Sequence, residues 1–164
     1  MKISILLPYK ENFSPEYAGA VSLFVKDTTS ISSFKKQITV YGNTNFKKKY
    51  KINYKNISIK RKFLNSTSKR YIEEFLINEK KDPSDLIEVH NRPSYIKPIY
   101  EKLKKDVILY YHNDPLSMGG SQSVNERLYL LNNCQSIIVI SEWIKKRLLK
   151  DLTVNDDLLR KIYV

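Results

Sequence analysis

The sequence predicts an α/β fold: an open, mainly parallel sheet of about seven strands with helices on both faces. Three observations predict it. Short apolar or β-branched runs alternate with longer stretches of helical period, which is the pattern of βαβ units. Those runs are apolar almost throughout instead of alternating with polar residues, as in strands covered on both sides. The 164 residues, 41% of them hydrophobic, suffice for one continuous core, so a single domain is expected.

Taken in order, Ile3 to Leu7 is the first strand, and Pro8 to Tyr17 leads from it into the small-residue turn Ala18-Gly19-Ala20. From Gly19 to about Phe34, Val21, Phe24, Val25 and Thr28 keep helical spacing. Thr28, Thr29, Ser30, Ser32 and Ser33 are mediocre helix formers, so only the first half of this stretch is predicted helical. Gln37 to Tyr41 is the second strand. The biased segment Phe46 to Lys62 sets Lys and Arg among Tyr50, Tyr54, Ile57 and Ile59, as a loop leading into an edge strand does, and Asn56 to Lys60 is the third strand. Ser66 to Lys80 carries Tyr71, Ile72, Phe75 and Leu76 on one side of a helix. Leu86 to Val89 is the fourth strand. In Tyr95 to Lys104 the residues Ile96, Ile99, Tyr100 and Leu103 draw one apolar stripe, which places Pro98 in the first turn of that helix. Val107 to Tyr111 is the fifth strand, Ser123 to Asn132 a helix, Ser136 to Ile140 the sixth strand and Glu142 to Leu152 a helix. Ile162 to Val164 begins a seventh strand that reaches the last residue with no turn or capping signal behind it, which leads us to expect a further segment. No internal repeat is visible.

Composition bounds the function. Lys and Arg total 29 against 17 acidic residues, a formal net charge of +12 that favours nucleic acid, an anionic membrane or phosphorylated ligands without choosing among them. A bias toward Lys, Asn, Ile, Ser and Tyr also follows from an AT-rich genome, which weakens the charge as a guide. Cys134 is the only cysteine, which excludes an intrachain disulfide and a cysteine-based zinc site and leaves core packing as its expected role. The apolar run behind Met1-Lys2 is too short for a signal peptide, and no run approaches the roughly 20 residues that span a bilayer, so a cytoplasmic protein is expected.

In an open parallel sheet ligands gather beyond the carboxyl ends of the strands, where helix amino termini present free N–H groups. At the first such place stands Ala18-Gly19-Ala20. This turn fits an approaching phosphate, and equally a close packing of helix on strand. The fourth and fifth strands end in Glu88-Val89-His90-Asn91-Arg92-Pro93 and Tyr110-Tyr111-His112-Asn113-Asp114-Pro115. Both histidines of the chain thus occupy the same phase, each behind a strand and ahead of Asn and Pro. They are candidates for a shared site, or else they cap the sheet by bonding neighbouring backbone. Two histidines without i, i+4 spacing do not make a zinc site. Asp114 and Asp156-Asp157 are not a D-x-D clamp, and the G-x-S-x-G elbow of a serine hydrolase is absent. Ser117 to Ser121 reads as a mobile lip of a cleft or as a plain connection.

In this order the segments resemble glycosyltransferase family 4, retaining enzymes of the GT-B fold. The first strand with Ala18-Gly19-Ala20 looks like that family's glycine-rich turn, Ala18 standing where a first glycine is usual. Leu86 to Pro93 and Val107 to Pro115 are similar to its two strands that end in histidine. Ser136-Ile137-Ile138-Val139-Ile140-Ser141-Glu142-Trp143, followed by Arg147, looks like the segment that closes its amino-terminal domain. The resemblance covers nearly the whole chain and implies a Rossmann-like amino-terminal domain over residues 1–164, with the second, sugar-nucleotide-binding domain lying outside this sequence. It implies transfer of a sugar from a nucleotide diphosphate sugar to a glycan or lipid-linked acceptor, with retention, in cell-envelope polysaccharide or lipopolysaccharide synthesis. Neither metal nor cofactor is implied. Ala18 and Gly19 would meet the donor diphosphate, His112 would lie beside the reacting sugar, and His90, Asn91, Arg92, Asn113 and Asp114 would shape the acceptor side. This chain alone is then expected to be inactive. Peripheral contact of Phe46 to Lys62 with an anionic membrane is one use of the basic stretch. A nucleic-acid-binding module and a different Rossmann-like enzyme, such as a nucleotide-sugar epimerase or a dehydrogenase, remain as rivals; the lack of G-x-G-x-x-G after the first strand counts against a dinucleotide site.

Overall fold

The structure, a computed structural model, describes residues 1–59 and 66–164. The end of the expected third strand at Lys60 and the last residues of the basic segment, to Lys62, lie outside them. Among the described residues the chain forms seven strands, β1 (Ile3–Leu6), β2 (Ile38–Gly42), β3 (Tyr54–Asn56), β4 (Leu86–His90), β5 (Asp106–Tyr111), β6 (Ser136–Val139) and β7 (Ile162–Tyr163). Between them run six α-helices, α1 (Ala20–Ile31), α2 (Thr67–Lys81), α3 (Ile96–Leu103), α4 (Val124–Asn133), α5 (Glu142–Leu149) and α6 (Asp156–Leu159). This is the expected Rossmann-like α/β alternation, and by contacts it divides into two compact units, Met1–Leu86 and Ile87–Val164.

In the first unit the order is β3-β2-β1, with parallel pairing that sets Ile3 against Ile38 and Leu6 against Tyr41, and Val40 against Tyr54. The pleat sorts the side chains. Ile3, Ile5 and Leu7 of the first strand region join Ile38 and Val40 in a cluster completed by Val21 and Val25 of α1. Ser4 points the other way, where its hydroxyl donates to the Glu79 carboxylate of α2, and Tyr41 meets Phe75 of α2 edge-on with centroids 5.2 Å apart. Helices therefore cover both faces of this part of the sheet.

In the second unit the order is β4-β5-β6-β7, and β6 pairs in parallel with both β5 and β7, setting Ile108 against Ser136 and Ile137 against Ile162. Ile87, Val89, Val107, Leu109, Ile137 and Val139 of its strands are buried, together with Ile99 of α3, Leu130 of α4 and Leu148 of α5. Burial on this scale is the main source of stability, at about 25 cal/mol per Å² of apolar surface removed from water.

Four elements differ from expectation. Helix α1 runs its full length to Ile31 because its poor helix formers satisfy themselves on the helix: the Thr28 hydroxyl donates to the Phe24 carbonyl and that of Ser30 to the Lys26 carbonyl. Strand β3 spans Tyr54–Asn56 instead of the expected Asn56 to Lys60 and leaves Ile57, Ser58 and Ile59 outside it, because Tyr54 stacks on Phe13 at 5.2 Å and an interplanar angle of 8°, while Val40 N–H donates to the Asn53 carbonyl. Helix α5 stops at Leu149, where Arg127 Nη2 donates to the Lys150 carbonyl and Asp151 takes a left-handed φ of 61°. Helix α6 was not foreseen; Asn155 caps it by accepting from Leu158 N–H at 3.1 Å.

Candidate functional site

Strands β4 and β5 are neighbours in the second unit, and period two puts Glu88 and His90 on one face of β4 and Tyr110 and His112 at matching places along β5. The two imidazoles meet. His90 Nδ1 lies 3.1 Å from His112 Nε2, with ring centroids 5.4 Å apart. Tyr110 stacks on His90 at 4.4 Å and 11°, and its ring plane lies 17° from that of His112. A Glu88 carboxylate oxygen sits 3.6 Å from His90 Nε2.

Backbone geometry fixes this arrangement. Asn91 takes a left-handed φ of 55°, which Asn tolerates better than most residues. Its N–H donates to the Tyr110 carbonyl at 2.8 Å, and its side-chain oxygen accepts the His112 N–H at 3.3 Å, so the ends of the two strands are joined. Arg92 Nη1 donates to the Asn91 carbonyl, after which Pro93–Tyr95 form a 3-10 turn into α3. His90 is 1% exposed, whereas His112 is half-buried. Burial first, and the neighbouring His90 second, push the His112 pKa down to about 4, so the ring is neutral at pH 7.

Beyond His112 the candidates separate. Asn113 is exposed. Asp114 turns to Arg147 of α5, whose Nε lies 3.1 Å from both carboxylate oxygens and whose Nη2 lies 2.7 Å from one of them; Asp114 Oδ1 also accepts from Leu116 N–H at 3.0 Å. The Arg147 guanidinium holds the Asp114 carboxyl below the usual carboxylate range, and itself lies 5.6 Å from the ring centre of the exposed Trp143. The loop Ser117 to Ser121 is tied down: Ser121 is buried and donates to the Pro115 carbonyl, and Gly120, at φ 91°, lies so close to Ser94 that a Cβ would stand 2.6 Å from its backbone nitrogen. Beside it a cavity of about 470 Å³ is lined by Ser94, Lys97, Asn125, Glu126 and Tyr129 among others.

The turn Ala18-Gly19 belongs to the first unit. Gly19 is the N-cap of α1 in an extended conformation, and the Glu11 carboxylate lies against it, so that a Cβ on Gly19 would fall 2.1 Å from Glu11 Oε1. That oxygen accepts the Ser22 N–H at 3.0 Å. The amino end of α1 thus already holds an anion, as its dipole and unpaired N–H groups favour.

The basic segment offers less to bases than its composition suggested. Tyr50 and Tyr54, both partly buried, pack on Phe13 with centroids 5.1 and 5.2 Å away, which engages within the fold the rings that would stack on nucleotides. Among the described residues no group of three or more His, Cys, Asp or Glu is placed to hold a metal ion, and no helix is long and apolar enough to cross a membrane.

Glu88, Tyr110 and Glu11 are parts of these sites that the sequence reading did not single out. Strand period was the available signal for the first two: a Glu and a Tyr two residues ahead of each histidine share its face.

No family model and no curated protein matches the sequence. Solved structures do match in fold. Sucrose-phosphate synthase from Thermosynechococcus elongatus aligns at 10% identity over 93% of this chain and 83% of its own, with a TM-score of 0.59. HepE of Anabaena, solved with UDP-glucose, aligns at 9% identity and a TM-score of 0.61 over 92% of this chain. UDP-GlcNAc 2-epimerase from Methanocaldococcus jannaschii aligns at 18% identity and a TM-score of 0.51 over all of it. The chain spans 40% of the HepE chain and 45% of that epimerase chain. At these identities the likeness is one of fold, a Rossmann-like α/β fold matching GT-B glycosyltransferases and epimerases.

Proposed function

We propose that this chain is the amino-terminal, acceptor-side domain of a retaining GT-B glycosyltransferase, similar to family 4, that moves a sugar from a nucleotide diphosphate sugar to a glycan or lipid-linked acceptor of the cell envelope. The observation that carries this reading is the meeting of His90 and His112 at the carboxyl ends of adjacent parallel strands, in a fold shared with a protein that binds UDP-glucose. Ligands of such sheets bind at that end.

The chemistry follows from charge. As the glycosidic bond to the diphosphate breaks, negative charge grows on the leaving group, and preorganised N–H donors and cations lower the barrier. The amino end of α1 is one such donor group, and a diphosphate there would replace the Glu11 carboxylate beside Ala18 and Gly19. His112 is neutral, so its part is a hydrogen bond to a sugar hydroxyl or to the reacting centre, not charge neutralisation. His90, Asn91 and Arg92 shape the floor behind it, and Asn113 is exposed to an acceptor. Asp114 acts on that side through Arg147. The cavity beside Tyr129, where Pro93, Leu130 and the Tyr129 ring stand with the polar Ser94, Lys97, Asn125 and Glu126, suits a sugar ring of the acceptor. The exposed Lys47 and Lys48 would hold the protein near an anionic inner membrane face.

The test uses the complete two-domain enzyme with a panel of UDP-sugars, separating transferred from epimerised product. His112→Ala is expected to lower kcat at least tenfold, about 1.4 kcal/mol, while residues 1–164 alone transfer nothing. An unchanged rate in the variant, or epimerised sugar as the sole product, would overturn the reading.

A further inference from the structure

The first turn of α5 lies at the carboxyl end of β6, on the rim of the second unit that also carries His112 behind β5. Trp143 stands there 57% exposed, and it is the only tryptophan of the chain. A single exposed aromatic ring is ordinary; what sets this one apart is how it is held. Arg147, one turn on, has its guanidinium carbon 5.6 Å from the ring centre, and that guanidinium is fixed to Asp114 through Nε and Nη2. Asp114, two residues past His112, is fixed in turn by the Leu116 N–H. On its other side α5 is anchored by the buried Ile144 and Leu148. Two donors of this arrangement are left over: among the described residues neither Arg147 Nη1 nor the Trp143 indole Nε1 makes a hydrogen bond. Charge completes the face. Lys146, three residues on from Trp143, is exposed and forms no ion pair among the described residues, Glu142 one turn earlier included. Lys150 lies near enough to Asp114 to help hold its carboxyl ionised. Arg147 and Lys150 thus outweigh the Asp114 carboxylate, and Lys146 adds to the excess.

We propose that Trp143, Lys146 and Arg147 form a subsite for a sugar ring that carries an anionic group, a carboxylate or a phosphate. The C–H face of the sugar lies on the indole, on the side away from Arg147, and the anion is taken by Arg147 Nη1 and Lys146. This deepens the reading of the domain as the acceptor side and rests on it. A flat apolar wall with a few fixed polar groups is the composition of a small-molecule site, and a side chain already immobilised by its neighbours loses little freedom on binding. An anionic membrane is the other partner that a basic face with a tryptophan could meet. Interfacial helices, however, submerge a broad apolar face. Here Ile140 and Trp143 are the large apolar side chains exposed at the start of α5, and its remaining apolar face is spent on the core.

The test reads the fluorescence of Trp143 in the 164-residue chain, excited where tyrosine does not absorb. The probes are trigalacturonate and glucose 6-phosphate. Maltotriose lacks the charge of the first, inorganic phosphate lacks the ring of the second, and vesicles of phosphatidylcholine with or without phosphatidylglycerol stand for the membrane. A saturable change is expected with trigalacturonate, glucose 6-phosphate or both, at least tenfold tighter than with the matching control, and the probe that responds names the anion. Lys146→Glu is expected to weaken that binding at least tenfold. Calorimetry is expected to show a similar loss in Trp143→Ala, with the amide NMR spectrum still that of the folded chain. No response to either sugar probe, equal affinity for each probe and its control, or a response to phosphatidylglycerol vesicles alone would overturn the subsite and leave the glycosyl-transfer reading to the rate of His112→Ala. An unaffected rate in that variant would sink the glycosyl-transfer reading, while the Trp143 signal would still judge whether this face binds anionic sugar.

Discussion

Cys134 is 1% exposed, and burial pushes its thiol up to about 12. Because the thiolate is the nucleophile, a thiol reagent at pH 8 is expected to leave the native chain unlabelled for hours and to label it promptly in denaturant. Labelling of the native chain at the rate of a free cysteine would show that the C-terminal end of α4 opens readily. At this scale the sequence was informative where chemistry is scarce. With two histidines in the chain, both directly behind strands, their meeting was readable from phase alone. Glu88 and Tyr110 are harder to read because they lie within their strands, and only the pleat, at two residues' distance, brings them to the face of the histidines. Glu11 was beyond reach of any pattern, since its contact with Ser22 depends on how Pro8 to Tyr17 folds back.

Helix α4 begins with a capping box: Ser123 accepts from Glu126 N–H at 3.2 Å, and the Glu126 carboxylate accepts the Ser123 N–H at 2.9 Å. Ser123→Ala is expected to cost about 1 kcal/mol, read as a lower urea midpoint with an unchanged m value. A midpoint within error of the parent would mean that water serves these N–H groups as well as the hydroxyl does. Elements whose apolar stripe sets their limits, such as α2 and α3, were legible to within a residue or two. Those limited by a distant partner were not. The end of α5 depends on Arg127, 23 residues away in sequence from the Lys150 carbonyl it engages, and β3 is placed by the stacking of Tyr54 on Phe13 rather than by Ile57 and Ile59. The Asn155-Asp156-Asp157 run of α6 is a cap signal legible in the sequence, with a side chain to accept at the cap and two acids in the first turn.

For the whole molecule the clearest expectation concerns acid. The folded pKa of His112, about 4, lies below its unfolded value of 6.5, so the unfolded chain binds more protons between those limits. The stability that the neutral ring allows is complete above about pH 6.5 and is lost as the pH falls toward 4. Asp114 acts in the same sense lower down, since its pair with Arg147 keeps it ionised and that contribution fades as the pH falls below the ordinary carboxylate value of about 3.9. Tm is therefore expected to fall steadily from pH 7 to 4, and more shallowly in His112→Asn; equal slopes would show that this ring does not titrate as its burial demands. The alternation of strand and helix made the α/β fold legible before any coordinate, down to the number of strands. Their lateral orders, β3-β2-β1 and β4-β5-β6-β7, were not, because period and propensity say which face a residue takes and nothing about which strand lies beside it. The contact of Gly120 with the Ser94 backbone has a bearing on motion at this rim. Main chain packed this closely leaves the lip after β5 no room to move inward unless the turn after β4 gives way in the same direction.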